Sequence, residues 1–280
     1  MEKGKIALAV STPEARFSAV VYREPFASSF AKVSALGLGG IEVHLRDPNL
    51  VRAEELIHLA REHELTICAL GTGQAYGTDG LSFTDPDSSV RRAAVERIKS
   101  HIILAAELRC CVILGLIRGR LGSEAPAWAR EWMMNGFRAC LEEAERHGVD
   151  LAIEPLNRYE TDLINTVEEA LLVLEELGSA RAGLLLDTFH MNIEEPSLPA
   201  AIRRAGKRIK HVHVADSNRW APGFGHLDFG EVYRELMAVG YGGFLSAAVL
   251  PYPDPDAAGQ MVVRTLTFVI TQEKEHINSR

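Results

Sequence analysis

Three consecutive apolar runs of the chain end in side chains that can bind a cation or move a proton: Ile153-Glu154-Pro155, Leu186-Asp187-Thr188 and His211-Val212-His213. Each is separated from the next by about one strand–helix unit. A charge at the end of a buried strand is costly unless something pairs with it. Two carboxylates and one imidazole form a mixed oxygen and nitrogen shell, which suits Mn2+, Mg2+ or Co2+ better than an all-thiolate zinc site would. Read this way, Glu154, Asp187 and His213 are metal ligands. The competing reading is a salt-bridged rim, with Asp187 only capping the helix that follows; three aligned residues favour the metal. His211 shares a strand face with His213 and lies deeper, where a hydrogen-bonded interior histidine is expected. Arg118 and Arg120 follow another apolar run. They could grip a substrate carboxylate bidentately, with surface ion pairs as the alternative at nearly equal weight.

These residues need a frame that delivers them to one place. Short apolar runs occur at Lys5–Val10, Gly40–His44, Leu65–Leu70, Cys110–Leu114, Val149–Ile153, Ala182–Leu186, Ile209–Val214 and Phe244–Val249. They are near-continuously apolar, as parallel strands covered on both faces must be. Helical patterns lie between them. Over 89–108, Ala94, Ile98, Ile102 and Ala105 form one face; the pattern over 129–147 stops at Gly148; and Thr166 with Glu169 forms a capping box for a helix running to Leu177. Eight such units of about 35 residues predict a (β/α)8 TIM barrel, one domain over residues 1–280, with function gathered where the strands end. The runner-up, an open doubly wound sheet, calls for a glycine-rich phosphate turn after the first strand. Val10-Ser-Thr-Pro-Glu14 has none.

Composition bounds the function classes. The 280 residues are 47% hydrophobic and 24% charged, which suits one domain with a large core. Lys and Arg number 30 against 38 Asp and Glu, a net charge of −8, which argues against a nucleic-acid-binding surface. No apolar run reaches the ~20 residues that span a bilayer, and the stretch after Lys3 and Lys5 is too short for a signal-peptide core. Cys68, Cys110, Cys111 and Cys140 form no CxxC pair, so a reducing cytoplasm is expected rather than a disulfide framework. The expected partner is a small molecule, with neither nucleic acid nor membrane, and a homo-oligomer is left open.

The segments Ile153-Glu-Pro-Leu-Asn-Arg-Tyr-Glu160, Asp187-Thr-Phe-His-Met-Asn-Ile-Glu-Glu195 and His211-Val-His-Val-Ala-Asp-Ser-Asn-Arg219 resemble the xylose-isomerase-like barrel superfamily, in particular its ketose 3-epimerases. Cys68-Ala-Leu-Gly-Thr-Gly-Gln-Ala-Tyr76, Gly115-Leu-Ile-Arg-Gly-Arg120 and Asn218-Arg-Trp-Ala-Pro-Gly-Phe-Gly225 are similar to the 5-keto-L-gluconate epimerase subgroup. The resemblance spans essentially the whole chain. It implies a divalent metal cofactor, Mn2+ preferred, held by Glu154, Asp187 and His213 as three of four ligands. Glu154 would also be one of two catalytic carboxylates, and Glu160, His190 and Arg219 would hold the sugar's oxygens.

The family's fourth ligand, which doubles as the second acid/base, is a glutamate ending strand eight. Ala248 stands there, and no other carboxylate lies between Tyr241 and Tyr252. The implied reaction is inversion at C3 of a keto-sugar or keto-sugar acid (5-keto-L-gluconate or D-tagaturonate), by proton abstraction and return. With Ala248 the expectation is an inactivated or impaired form. The alternatives are a catalytically dead sugar-binding barrel and an aldose–ketose isomerase; the second-metal ligands an isomerase uses are not evident. An AP endonuclease would need a histidine-rich zinc site and a basic DNA face.

Overall fold

The computed structural model describes residues 4–16, 19–122 and 126–278. Eight parallel strands follow the predicted runs to within a few residues: β1 Ile6–Ser11, β2 Gly40–His44, β3 Thr66–Gly71, β4 Cys111–Leu114, β5 Leu151–Ile153, β6 Ala182–Asp187, β7 Ile209–His213 and β8 Leu245–Ala247. Each pairs with the next, and β8 pairs with β1, so the sheet closes into a barrel. Tyr22–Arg23 adds a short parallel extension beside the end of β1. Outward-facing Leu8, Val10, Ile41, Val43, Leu114, Ile153, Leu184 and Leu186 merge with the inner stripes of the surrounding helices into one apolar core.

Helix ends follow local chemistry. Thr166 and Glu169 form the reciprocal capping box, and the helix Val167–Leu177 ends at Gly178 with φ 64°. Two short helices that periodicity did not indicate, Gly73–Gly77 and Thr188–Glu194, begin almost directly after β3 and β6. Among the described residues no helix is long and apolar enough to cross a membrane.

Residues paired across parallel strands face the same way, so the register says what fills the barrel. Below the rim, Ala69, Ile113, Ala152 and Leu185 form an apolar plug with Cys111 beside it. Around β1 and β8 the inward residues are small: Ala7, Ala9, Ser246 and Ala248. This leaves room for long side chains of β2 and β7 to meet across them. Register shifts at Ile41/Glu42 and Leu184/Leu185 act as β-bulges that set Glu42 beside Ala69 and His211 beside Leu185.

The loop after β4 turns through a 3-10 segment, Leu116–Arg118, into Gly119 at φ 90°. A Cβ at Gly119 would overlap the hydroxyls of Thr84 and Ser82, and a side chain is strained at that φ. Gly119→Ala is therefore expected to lower stability by about 1–3 kcal/mol, read as a lower denaturant midpoint at unchanged slope. An unchanged midpoint would show that the loop relaxes freely.

Candidate active site at the C-terminal rim

Glu154 directly follows β5, Asp187 ends β6 and His213 ends β7. Because they leave neighbouring strands of a closed barrel, they converge. His213 Nδ1 lies 3.4 Å from Glu154 Oε1 and 3.7 Å from Asp187 Oδ2. All three side chains are buried. The two carboxylate oxygens of Asp187 point different ways. Its Oδ1 caps the helix Thr188–Glu194 by accepting from the Phe189 N–H at 2.9 Å, and its Oδ2 turns into the site.

Asp187 Oδ2 and His213 Nδ1 are buried polar atoms without a hydrogen-bond partner. Such orphans are expensive; facing one another with Glu154, they fit a cation that would satisfy both. Gly115 makes room for the Glu154 carboxylate, since a Cβ there would come within 2.8 Å of Glu154 Oε2. Ligand atoms of Glu154, Asp187 and His190 also lie within 4.8 Å of one another.

His190 sits on the short helix after β6. Its Nδ1 accepts from the Asn157 backbone N–H at 3.3 Å and from the Asn157 amide at 2.7 Å. The Tyr159 N–H donates to Asn157 Oδ1 at 3.0 Å and so fixes which way the amide points. The other ring nitrogen, Nε2, faces the site. That atom lies 3.6 Å from Asp187 Oδ2, 4.0 Å from Glu154 Oε1 and 3.1 Å from Arg219 Nη1. Burial lowers the His190 pKa, favouring the neutral ring. Arg219 Nη1 also reaches Glu160 Oε1 at 3.3 Å, and its guanidinium stacks 4.7 Å over the Phe189 ring. Its backbone is left-handed, φ 63°, a costly conformation for any residue other than glycine and one found at functional sites.

Two expectations need correction or addition. Arg118 does not face a substrate. It is fully buried and donates to the carbonyls of Leu163 (2.9 Å), Gly115 (3.0 Å), Glu154 (2.7 Å) and Ile164 (3.0 Å). Burial pushes its guanidinium down to about 10, so it stays protonated at neutral pH and ties two rim loops together. Arg120 is exposed, with Nη2 on the Glu160 carbonyl. Ala248 is fully buried against Ala9 and Val20, and β8 brings no carboxylate to the rim.

Sequence reasoning missed Glu42. Its fully buried carboxylate accepts from His44 Nε2 at 2.6 Å, from His211 Nε2 at 2.7 Å and from His213 Nε2 at 3.0 Å. His211 is thus the interior hydrogen-bonded histidine expected. Burial opposes the charge on Glu42, yet the facing His213 and these hydrogen bonds hold its carboxyl well below the usual range. By holding Nε2 of His213, Glu42 leaves Nδ1 as the ring atom aimed at Glu154 and Asp187. The available signal was a carboxylate inside the apolar run Gly40–His44, where only a partnered charge can sit.

The site opens in two steps. A cavity of about 30 Å3 is lined by His44, Gly71, Gly115, Glu154, His213 and Arg219 among others. It adjoins a chamber of about 470 Å3 whose walls include Arg16, Gln74, Leu116, Glu160, Phe189 and Arg219.

Residues 30–264 match the family model described as a xylose isomerase-like TIM barrel. A D-psicose 3-epimerase of Enterocloster bolteae is 35% identical over 230 residues, 76% of this chain and 72% of that one. A ketose 3-epimerase of Arthrobacter globiformis is 30% identical over 233 residues, 80% and 79% of the two chains. The solved structure of an L-ribulose 3-epimerase superposes with a TM-score of 0.82 at 26% identity, covering 97% of this chain and 96% of that one.

The electrostatics give a prediction. Burial opposes charge on His213, but Glu42, Asp187 and Glu154 raise its pKa well above the usual imidazole value. The free site therefore holds a proton on Nδ1 at neutral pH, which an incoming cation must displace. Affinity for a divalent cation such as Mn2+ is expected to rise with pH through neutrality and beyond, because the His213 pKa is raised, with about one proton released per ion. Calorimetry in buffers of different ionisation enthalpy measures that release; binding that is independent of pH would contradict the assignment of His213.

Proposed function

The chain belongs to the xylose isomerase-like TIM barrel family and is a sugar epimerase, and from that premise we propose that it inverts C3 of a keto-sugar or keto-sugar acid with a divalent cation, Mn2+ preferred. The carrying observation is the meeting of Glu154, Asp187 and His213, with the orphaned Asp187 Oδ2 and His213 Nδ1 among them and with His190 Nε2 and Arg219 beside them. The donor set fits an oxygen- and nitrogen-seeking divalent ion. When bound, such an ion supplies Lewis-acid polarisation of the substrate carbonyl.

The chain's own residues do the rest. Glu154 borders the inner cavity and acts as a base toward the C3–H; a second carboxylate on β8 is absent, as Ala248 requires. Burial opposes ionisation of Glu154, but His213 and His190 keep its carboxyl below the usual value, so it is ready to accept a proton at neutral pH. The Arg219 guanidinium, braced against His190 Nε2 at 3.1 Å, donates where oxyanion charge develops. Glu160, hydrogen-bonded by Asn157 and Arg219 at 3.2 and 3.3 Å, orients Arg219 and accepts from a sugar hydroxyl. The outer chamber takes the rest of the substrate. With four free cysteines among the described residues, a reducing cytoplasm is the fitting compartment.

The test follows hydrogen at C3 in deuterated water with Mn2+ present. Deuterium is expected to enter C3 of a 2-ketohexose or a ketohexonate, and Glu154→Gln is expected to slow its entry by about 10²–10⁴-fold. If no ketose or keto-acid exchanges at C3 in either the protein or its Ala248→Glu variant, the C3 reading is wrong. Substrate charge is tested separately. If Arg120 grips a carboxylate, Arg120→Ala should weaken keto-acid binding by about 1.5–3 kcal/mol and leave the neutral ketose unaffected; equal losses would remove Arg120 from recognition.

A further inference from the structure

One wall of the outer chamber carries polar atoms that nothing in the protein satisfies. Gly73, Leu116, Glu160 and Arg219 line both the inner cavity and the chamber, so they mark the passage between the two. Gln74, Gly77 and Thr78 line the chamber alone. They belong to the short helix after β3 and to its C-cap. Gln74 and Thr78 are four residues apart and therefore share a helix face. A Cβ at Gly77 would meet no atom within 4 Å, so the space beside that residue is open.

Gln74 is buried, and its amide orientation follows from its neighbours. Ser11 Oγ donates to the His44 carbonyl at 2.9 Å. The Gln74 amide end that lies 2.6 Å from Ser11 Oγ also lies 3.3 Å from that carbonyl. A carbonyl only accepts, so this end is the NH2 group. Gln74 Oε1 is then the free end, and both it and Thr78 Oγ1 are buried polar atoms without a hydrogen-bond partner. An unmet buried acceptor is costly. Oε1 has lone pairs only and calls for a donor, whereas the Thr78 hydroxyl can give or take. A hydroxyl group suits both. A carboxylate or a phosphate would set negative oxygen against Oε1 and bring it no proton.

We propose that Gln74 Oε1 and Thr78 Oγ1 read hydroxyl groups on the part of the substrate beyond C3, so that this wall selects a polyhydroxylated chain over an anionic end. The proposal rests on the C3-epimerase reading above, which sets the reacting carbon beside Glu154 and sends the following carbons through the passage into the chamber. Arg219 and Glu160, at the passage, hold the oxygens nearer the reacting carbon. Gln74 and Thr78 are specificity residues and take no part in proton transfer.

The experiment uses the full chain loaded with Mn2+ and a panel of 2-ketohexoses, with derivatives of each lacking the hydroxyl at C4, C5 or C6. Affinities are measured by calorimetry for the protein, for Q74M and for T78V, which replace the polar atoms by apolar groups of similar size. Q74M and T78V are each expected to weaken binding of the complete ketose about tenfold, with Mn2+ affinity unchanged. Removing the hydroxyl that a residue reads should cost the protein about the same factor and cost the corresponding variant nothing more. General damage to the chamber would instead multiply the two losses. Losses that multiply for every hydroxyl in both variants, or variants that bind every ketose as the protein does, would overturn the proposal. T78V leaves the Ser11 and His44 contacts untouched, so it decides the matter even where Q74M fails to fold. Hydrogen exchange at C3 in the same samples tests the underlying reading separately. Exchange with multiplying losses removes the hydroxyl wall and leaves the epimerase; the non-multiplying pattern without exchange in the protein or in A248E keeps the wall and removes C3 chemistry. Absence of ketose binding altogether would overturn both.

Discussion

One buried carboxylate organises this barrel. Glu42 has no access to solvent, and it is kept charged by three imidazole N–H donors from two strands. An ion of this kind is tolerable only when all its partners are in place. That demand reaches outward. β2 and β7 must be close enough for their side chains to touch, so β1 and β8 between them carry alanine and serine inward. The rotamer of His213 follows from its bond to Glu42, and the face it offers to Glu154 and Asp187 follows from the rotamer. The rim chemistry thus stands on a polar layer beneath it rather than on the rim loops alone.

The same layer explains why one site can have both fixed and adjustable parts. Glu154, Asp187, His213 and His190 are buried, each tied by a neighbour, so their relative positions cannot vary far. Arg219, Glu160 and Arg120 lie farther out, on loops, with partners at longer range or exposed to water. In the proposed reading, recognition of the substrate's tail belongs to this outer group, around the chamber of about 470 Å3.

Much of this was legible in the residues. Apolar runs bounded by helical periodicity give the barrel, and its rule about strand ends leads to Glu154, Asp187 and His213 without any coordinates. What was not legible shares a single cause: it depends on contacts between strands far apart in the chain. Glu42 lies in the middle of a strand rather than at its end, so a search restricted to strand ends passes over it. Arg118 reads as a rim cation because the sequence does not show that four carbonyls from two other segments surround it. The helix Thr188–Glu194 is too short for periodicity to register, although Asp187 at its start is a familiar cap residue.

Arg118 has one more consequence. Its four hydrogen bonds join the Gly115 loop after β4 to the backbone of Glu154 and to the segment through Leu163 and Ile164. Those loops form a single mechanical part. Anyone grafting a new binding loop from a homologous barrel would have to transplant both stretches together with the arginine, because moving either alone would strand carbonyls in the interior and let the Glu154 main chain drift.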